Sequence, residues 1–221
     1  MTRETLLKQE VAAARACTRC AGELPLGPRP VLRVSSTARL LIVSQAPGSK
    51  VHETGLSFDD RSGERLRDWL QVSRDEFYDE SRIAVLPVGL CYPGRRASGD
   101  APPRPECAPL WHPRLVPLMP HVGLTLLAGS HAQAFALGPG SMTARVRDFR
   151  RYLPRYFPLP HPSWRAAIWE KRNPWFANEV LPVFRAMTAE LLHLAQRRRK
   201  PPNDSSALVS KASFPDVHPG Q

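Results

Sequence analysis

Three short apolar runs constrain the fold of this chain more than anything else in it. They are Arg39-Leu-Leu-Ile-Val-Ser44, Ile83-Ala-Val-Leu-Pro-Val88 and Val122–Ala128. A strand with one face in water alternates polar and apolar residues, whereas a run without alternation is covered on both faces, as in a parallel sheet. Chain-turning residues close the runs: Pro47-Gly48, Pro87 and Gly129. Pro87 cannot donate to a ladder, so it stands at a strand end or an edge. Tyr156–Leu159, closed by Pro160, reads as a fourth short strand.

Helical segments fill the intervals. Residues 2–16 bring Leu6, Leu7, Val11 and Ala14 to one face, and Ser62–Leu70 does the same with Leu66, Trp69 and Leu70. A proline-interrupted helix is expected over Glu106–Leu118. Others are expected over His131–Leu137, Thr143–Tyr152, Ser163–Lys171 and Trp175–Arg198. Strands alternating with helices predict an α/β fold. The specific expectation is a three-layer αβα sandwich around a mainly parallel central four-stranded sheet, spanning residues 1–198. Residues 199–221 are polar and proline-containing without periodicity, and read as a disordered basic/polar tail.

In such sheets ligands bind outside the carboxyl ends of the strands. That rule selects three segments: Ser44–Phe58, Val88–Arg96 and Pro160–Arg165. The net charge of +11 says what kind of ligand to expect. Removing the basic run Arg197–Lys200 still leaves +7, so the excess belongs to the folded part and favours a polyanion such as nucleic acid. No apolar run approaches the roughly 18 residues of a membrane span, and the charged start lacks a signal-peptide core. A cytoplasmic location is therefore expected, without a membrane partner. There four cysteines favour metal ligation or plain burial over disulfides. Cys17 and Cys20 form a Cys-x2-Cys pair, with seventy residues between Cys20 and Cys91 and fifteen between Cys91 and Cys107. Four thiolates suit an iron–sulfur cluster or a zinc ion, and buried thiols without metal fit as well.

The selected segments carry recognisable motifs. The first is Ser44-Gln-Ala-Pro-Gly48, followed by Thr54-Gly-Leu-Ser-Phe58 and Ser62-Gly63; the last is His161-Pro-Ser163. Together, in this order, they resemble the two active-site motifs of the uracil-DNA glycosylase superfamily. The cysteine spacing makes the likeness closest to its iron–sulfur branch, family 4, and it covers roughly residues 10–195. The resemblance implies a monofunctional glycosylase that hydrolyses the N-glycosidic bond of uracil in DNA and starts base excision repair as a monomer. It implies His161 as donor to the departing base, and Gln45, Ala46 and Gly48 around the base. It implies Phe58 as the stacking ring, and Ser163, Trp164 and Arg165 on the DNA. It implies a structural [4Fe–4S] cluster on Cys17, Cys20, Cys91 and Cys107.

Two positions depart from that pattern. Where the family carries a carboxylate or asparagine in or just after the first motif, this chain has Gln45, Ala46 and Val51. His52, Glu53, Asp59 and Asp60 stand nearby to orient water, with Glu53 and Asp59 as the leading candidates. The family's base-reading asparagine falls near Pro87, which offers only its carbonyl. Other deaminated bases, such as hypoxanthine or xanthine, then come into range. The alternative reading is a catalytically weakened protein of the same fold that holds damaged or abasic DNA. An iron–sulfur redox protein would explain the cysteines but not the motifs.

Overall fold

A computed structural model describes residues 2–97 and 99–197. The expected tail over 199–221 lies outside the described residues. The first helix, α1 (Arg3–Arg15), starts at Thr2, whose hydroxyl accepts from Thr5 N. Four strands follow at intervals: β1 (Leu40–Val43), β2 (Ile83–Val85), β3 (Leu124–Ala128) and β4 (Tyr156–Leu159). They form one sheet in the order β2-β1-β3-β4, every pair parallel. The expected four-stranded parallel sheet is thus present, with helices on both faces.

β1 shows why the apolar run had no alternation. Leu40 and Ile42 enter one core with Leu66, Trp69, Phe77, Phe157 and Phe184. Leu41 and Val43 enter the other, with Leu7, Ala14, Leu86, Trp111 and Leu127. Both faces are dry, so both sets of side chains must be apolar. The outer edge of β2 is covered by the chain itself: Arg33 and Val85 exchange backbone hydrogen bonds of 2.9 and 2.6 Å as an antiparallel bridge. The buried Arg33 guanidinium lies 4.6 Å over the Tyr78 ring and donates to the Phe77 carbonyl at 3.0 Å. An otherwise open sheet edge is closed in this way.

The connecting elements are α2 (Ser49–Thr54), α3 (Arg61–Leu70), α4 (Arg74–Tyr78), α5 (Cys107–Leu115), α6 (Ser130–Leu137), α7 (Met142–Arg147), α8 (Trp164–Arg172) and α9 (Leu181–Arg197). Several differ from expectation for local reasons. The helix expected to Leu118 keeps Pro113 inside it but tightens to a 3₁₀ turn over Val116–Leu118. The one expected over Thr143–Tyr152 breaks at Asp148 into α7 and a 3₁₀ turn, Phe149–Tyr152. Ahead of α9 the chain widens to a π turn over Phe176–Val180. Pro182 has no N–H to give the Asn178 carbonyl, which removes the bond that would hold the normal pitch there. Residues 92–105, expected as a loop, contain a small hairpin pairing Arg95–Arg96 with Gly99–Asp100.

One turn fixes the approach to the sheet's carboxyl end. Phe58 takes a left-handed backbone, φ 59°, and Asp60 caps α3 by accepting from Gly63 N at 2.9 Å. A β-carbon on Gly63 would lie 1.7 Å from the Phe58 carbonyl oxygen. Only glycine permits this turn to close on the helix. Gly63→Ala should therefore destabilise the fold by about 1–3 kcal/mol or more, the usual range for overpacking. Denaturant unfolding measures it, and an unchanged midpoint would contradict this packing.

Candidate active site

The strand order places a switch point between β1 and β3, where the chain first runs to one side of β1 and then crosses to the other. A cleft of about 870 Å³ opens there. Its walls come from the carboxyl ends of all four strands: Ser44–Ser49, Pro87, Gly129–His131 and Pro160–His161. Backbone bonds pin the first of these loops, with Val88 N donating to the Ser44 carbonyl at 2.9 Å and Gly89 N to the Gln45 carbonyl at 2.8 Å. Gln45, Ala46 and Gly48 all line the cleft.

His161 stands on its inner wall, directly against β3. Gly129 N donates to the Leu159 carbonyl at 2.9 Å, which extends the β3–β4 ladder one residue beyond β3. A β-carbon on Gly129, φ 91°, would stand 2.9 Å from the His161 Cβ. Glycine is thus required by both the backbone angle and the close approach. Burial pushes the His161 pKa down to about 4, opposed by the Asp60 charge and assisted by His131. The ring is neutral at pH 7, able to donate one N–H without carrying charge into the site.

Phe58 serves two functions in packing. It is buried in the core, edge-on to Phe77 at 6.0 Å between ring centres, and it also forms part of the cleft wall. Its left-handed backbone is an uncommon conformation for a bulky residue, of the kind that clusters at functional sites. Pro87 lines the cleft, but its carbonyl accepts from the buried His112 Nε2 at 3.0 Å. Burial holds the His112 pKa down, so it serves as a neutral donor. One lone pair of the expected backbone acceptor at Pro87 is thus engaged.

Ser163, Trp164 and Arg165 form the opposite rim. Ser163 is the N-cap residue of α8, and Trp164 is 69 % exposed with Arg165 stacked on it at 5.2 Å. The Trp164 ring thus stands exposed at the mouth of the cleft, open to stacking by a planar group.

The two leading water-orienting candidates are not brought to the cleft. Glu53 is exposed on α2, where its carbonyl accepts from Arg29. Asp59 points at Arg74, 2.8 Å away, which holds its carboxyl below the usual range. Neither lines the cleft; Asp60 does. The cleft also contains Tyr92 and Arg95, from the selected segment Val88–Arg96, and Asp100, His131 and Trp169, which sequence reasoning did not select. The Trp169 indole donates to Thr143 Oγ1 at 2.8 Å, and this fixes its ring. The basic segment 145–155 is partly structural: buried Arg145 donates to the carbonyls of Gly138 and Pro139, each at 2.8 Å.

All four cysteines line a second, smaller cavity together with Pro28, Pro30, Arg104 and Trp111. None is in a disulfide. Leu90 N donates to Cys107 Sγ at 3.3 Å, and burial pushes the Cys107 thiol up to about 12 and the Cys91 thiol in the same direction. Among the described residues no three or more His, Cys, Asp or Glu side chains are grouped as ligands of a metal ion. No helix among them is long and apolar enough to cross a membrane.

The depressed His161 pKa has a thermodynamic consequence. The unfolded chain takes up this proton near pH 6.5, whereas the folded one resists it down to about 4. Stability is therefore complete above about pH 6.5 and falls as the pH drops towards 4. His161→Gln should flatten that fall in denaturant titrations across pH 7 to 4.5. Equal slopes for the two proteins would contradict a desolvated imidazole.

Residues 33–185 match the model of the Uracil DNA glycosylase superfamily. The matched stretch contains every strand of the sheet, the Ser44–Gly48 turn and His161, and it begins after Cys17 and Cys20. The chain belongs to the uracil DNA glycosylase superfamily.

Proposed function

We propose that the protein is a monofunctional DNA glycosylase that removes uracil from DNA by hydrolysing its N-glycosidic bond, as the first step of base excision repair. The observation that carries this reading is a neutral His161 on the wall of a cleft that also holds Phe58 and the Ser44–Gly48 turn. Such an enzyme takes its base out of the stack and into a pocket. The Phe58 ring offers an apolar face for the flipped base. The Gln45 amide presents a donor beside an acceptor, the same pattern as the O4 and N3–H edge of uracil. Trp164 and Arg165 fill the gap in the duplex and reach its backbone.

Chemistry then depends on charge. As the C1′–N1 bond breaks, its electron pair moves onto the base, largely to O2. A preorganised N–H aimed at that oxygen stabilises the transition state more than the bound substrate. His161 supplies this donor, and its neutrality keeps it from being spent on a resting counter-ion. The cleft is complete within one chain, in keeping with action as a monomer. His112 uses one lone pair of the Pro87 carbonyl and leaves the second, so discrimination among uracil and other deaminated bases is shared by Pro87 O, Gln45 and the turn amides.

We further propose that Cys17, Cys20, Cys91 and Cys107 hold a [4Fe–4S] cluster. Their convergence on one cavity supports this, and at Cys91 and Cys107 burial raises the thiol pKa, as for donors that need metal charge to become thiolate. Its contribution would be structural, joining α1 to the segment that carries the hairpin. Freshly purified protein should be yellow-brown with broad absorbance near roughly 400 nm. Colourless protein with stoichiometric zinc, or with no metal, would contradict this.

The activity itself is tested with a uracil-containing oligonucleotide, read by alkaline cleavage at abasic sites. Wild-type protein should release uracil and leave cytosine. His161→Ala should slow single-turnover excision by about 10²–10³, the cost of losing one such donor, while DNA affinity changes far less. Excision by His161→Ala at the wild-type rate would refute the proposed role of His161.

A further inference from the structure

Hydrolysis needs a group to take a proton from the attacking water, and Glu53 and Asp59 lie outside the cleft. Among the described residues, two carboxylates line it, Asp60 and Asp100. Asp60 is committed in part: one of its oxygens accepts from Gly63 N at 2.9 Å and starts α3. Asp100 is differently placed. It arrives on the second strand of the small hairpin, paired with Arg95, and its Oδ2 lies 3.5 Å from where a β-carbon on Gly48 would stand. The carboxylate therefore turns inward, over the bare backbone of the turn that forms the base pocket. Among the described residues, partial burial raises its pKa and the Arg95 charge opposes that rise.

We propose that Asp100 is the general base of the glycosylase reaction, supplied by the hairpin after the second strand instead of by the first motif. This rests on the glycosylase reading above. The water oxygen bonds to C1′ as the C1′–N1 bond breaks. One water proton passes to the Asp100 carboxylate, and the electron pair of the broken bond leaves with the base. The anionic base takes up a proton from solvent on release, and Asp100 returns its proton to solvent.

The geometry explains the choice of residues around it. The carboxylate lies directly over the Gly48 backbone, since a β-carbon there would be in ordinary contact with its Oδ2 at 3.5 Å. Asp100 is exposed on its outer side, so water can reach it. Arg95 keeps a positive charge beside it, which favours the ionised form a base requires. The hairpin is anchored at its root: Ala101 N donates to the Gly94 carbonyl at 2.8 Å. Gly94, φ 93°, packs so closely on Pro25 that an added β-carbon would meet Pro25 Cγ at 2.8 Å.

Single-turnover excision of uracil from an oligonucleotide tests this, with Asp100→Asn, Asp60→Asn and Asp100→Ala in the full chain. Asp100→Asn should be slower by about 10²–10⁴, the usual contribution of general-base catalysis. Its melting temperature and its affinity for DNA carrying 2′-fluoro-deoxyuridine, which resists hydrolysis, should not fall. Added formate should restore part of the rate to Asp100→Ala, a response that a structural role would not give. Asp60→Asn, which keeps an Oδ1 acceptor for Gly63 N, should keep its stability and most of its rate. If Asp100→Asn excises at the wild-type rate while His161→Ala is slow, the assignment of Asp100 is wrong and the glycosylase reading stands. If wild-type protein releases no uracil, both are wrong.

Discussion

His161 touches Gly129, and the rest of the site depends on that contact. The β3–β4 ladder runs one bond further than the strands themselves, from Gly129 N to the Leu159 carbonyl. The two chains therefore leave the sheet still in register, and His161 comes to stand where a β-carbon of residue 129 would otherwise be. The imidazole is desolvated by the same packing, which keeps it neutral. A donor held rigidly by backbone in a partly dry wall costs no reorganisation when charge develops opposite it. On the proposed reading, the fold supplies the electrostatics before any substrate arrives.

The Phe58 turn answers it from the neighbouring loop. Its left-handed backbone, the Asp60 cap and the bare Gly63 form one unit, with the Arg67 guanidinium 3.4 Å from the Phe58 carbonyl. The ring is thereby shared between core and cleft. On the proposed reading, a stacking surface anchored in the core cannot swing away when a base enters. The second cavity belongs to the same account. Its cysteines flank the hairpin in the chain, Cys91 before it and Cys107 after it. The hairpin root also packs on Pro25, close in sequence to Cys17 and Cys20. Whatever fixes that cavity fixes the hairpin, and with it Asp100.

Much of this was legible in the residues. Leu40–Val43 read as a doubly covered strand because both neighbours of the sheet are cores. The Ser44–Gly48 turn and His161 stand just past strand ends, where the parallel-sheet rule points, and the motif resemblance adds Phe58 and the role of His161. What escaped was local or long-range. Ser73 and Glu76 form a reciprocal capping box for α4, a signal present in the sequence though the helix is only five residues long. The hairpin carries no alternation, since each of its strands is two residues long. Asp100 therefore looked like one more polar loop residue. Glu53 and Asp59 looked better placed because they are close to the motif in sequence; α2 and Arg74 turn them outward. Arg145 adds to the basic count but is spent on the carbonyls that follow α6.

The central claim is that this cleft releases a base and leaves the strand intact. Intact-mass spectrometry of a uracil-containing oligonucleotide after incubation with the protein tests it directly. The account predicts one product, in which the uracil is replaced by a hydroxyl and the phosphodiester backbone is uncut. An oligonucleotide of unchanged mass would contradict the claim.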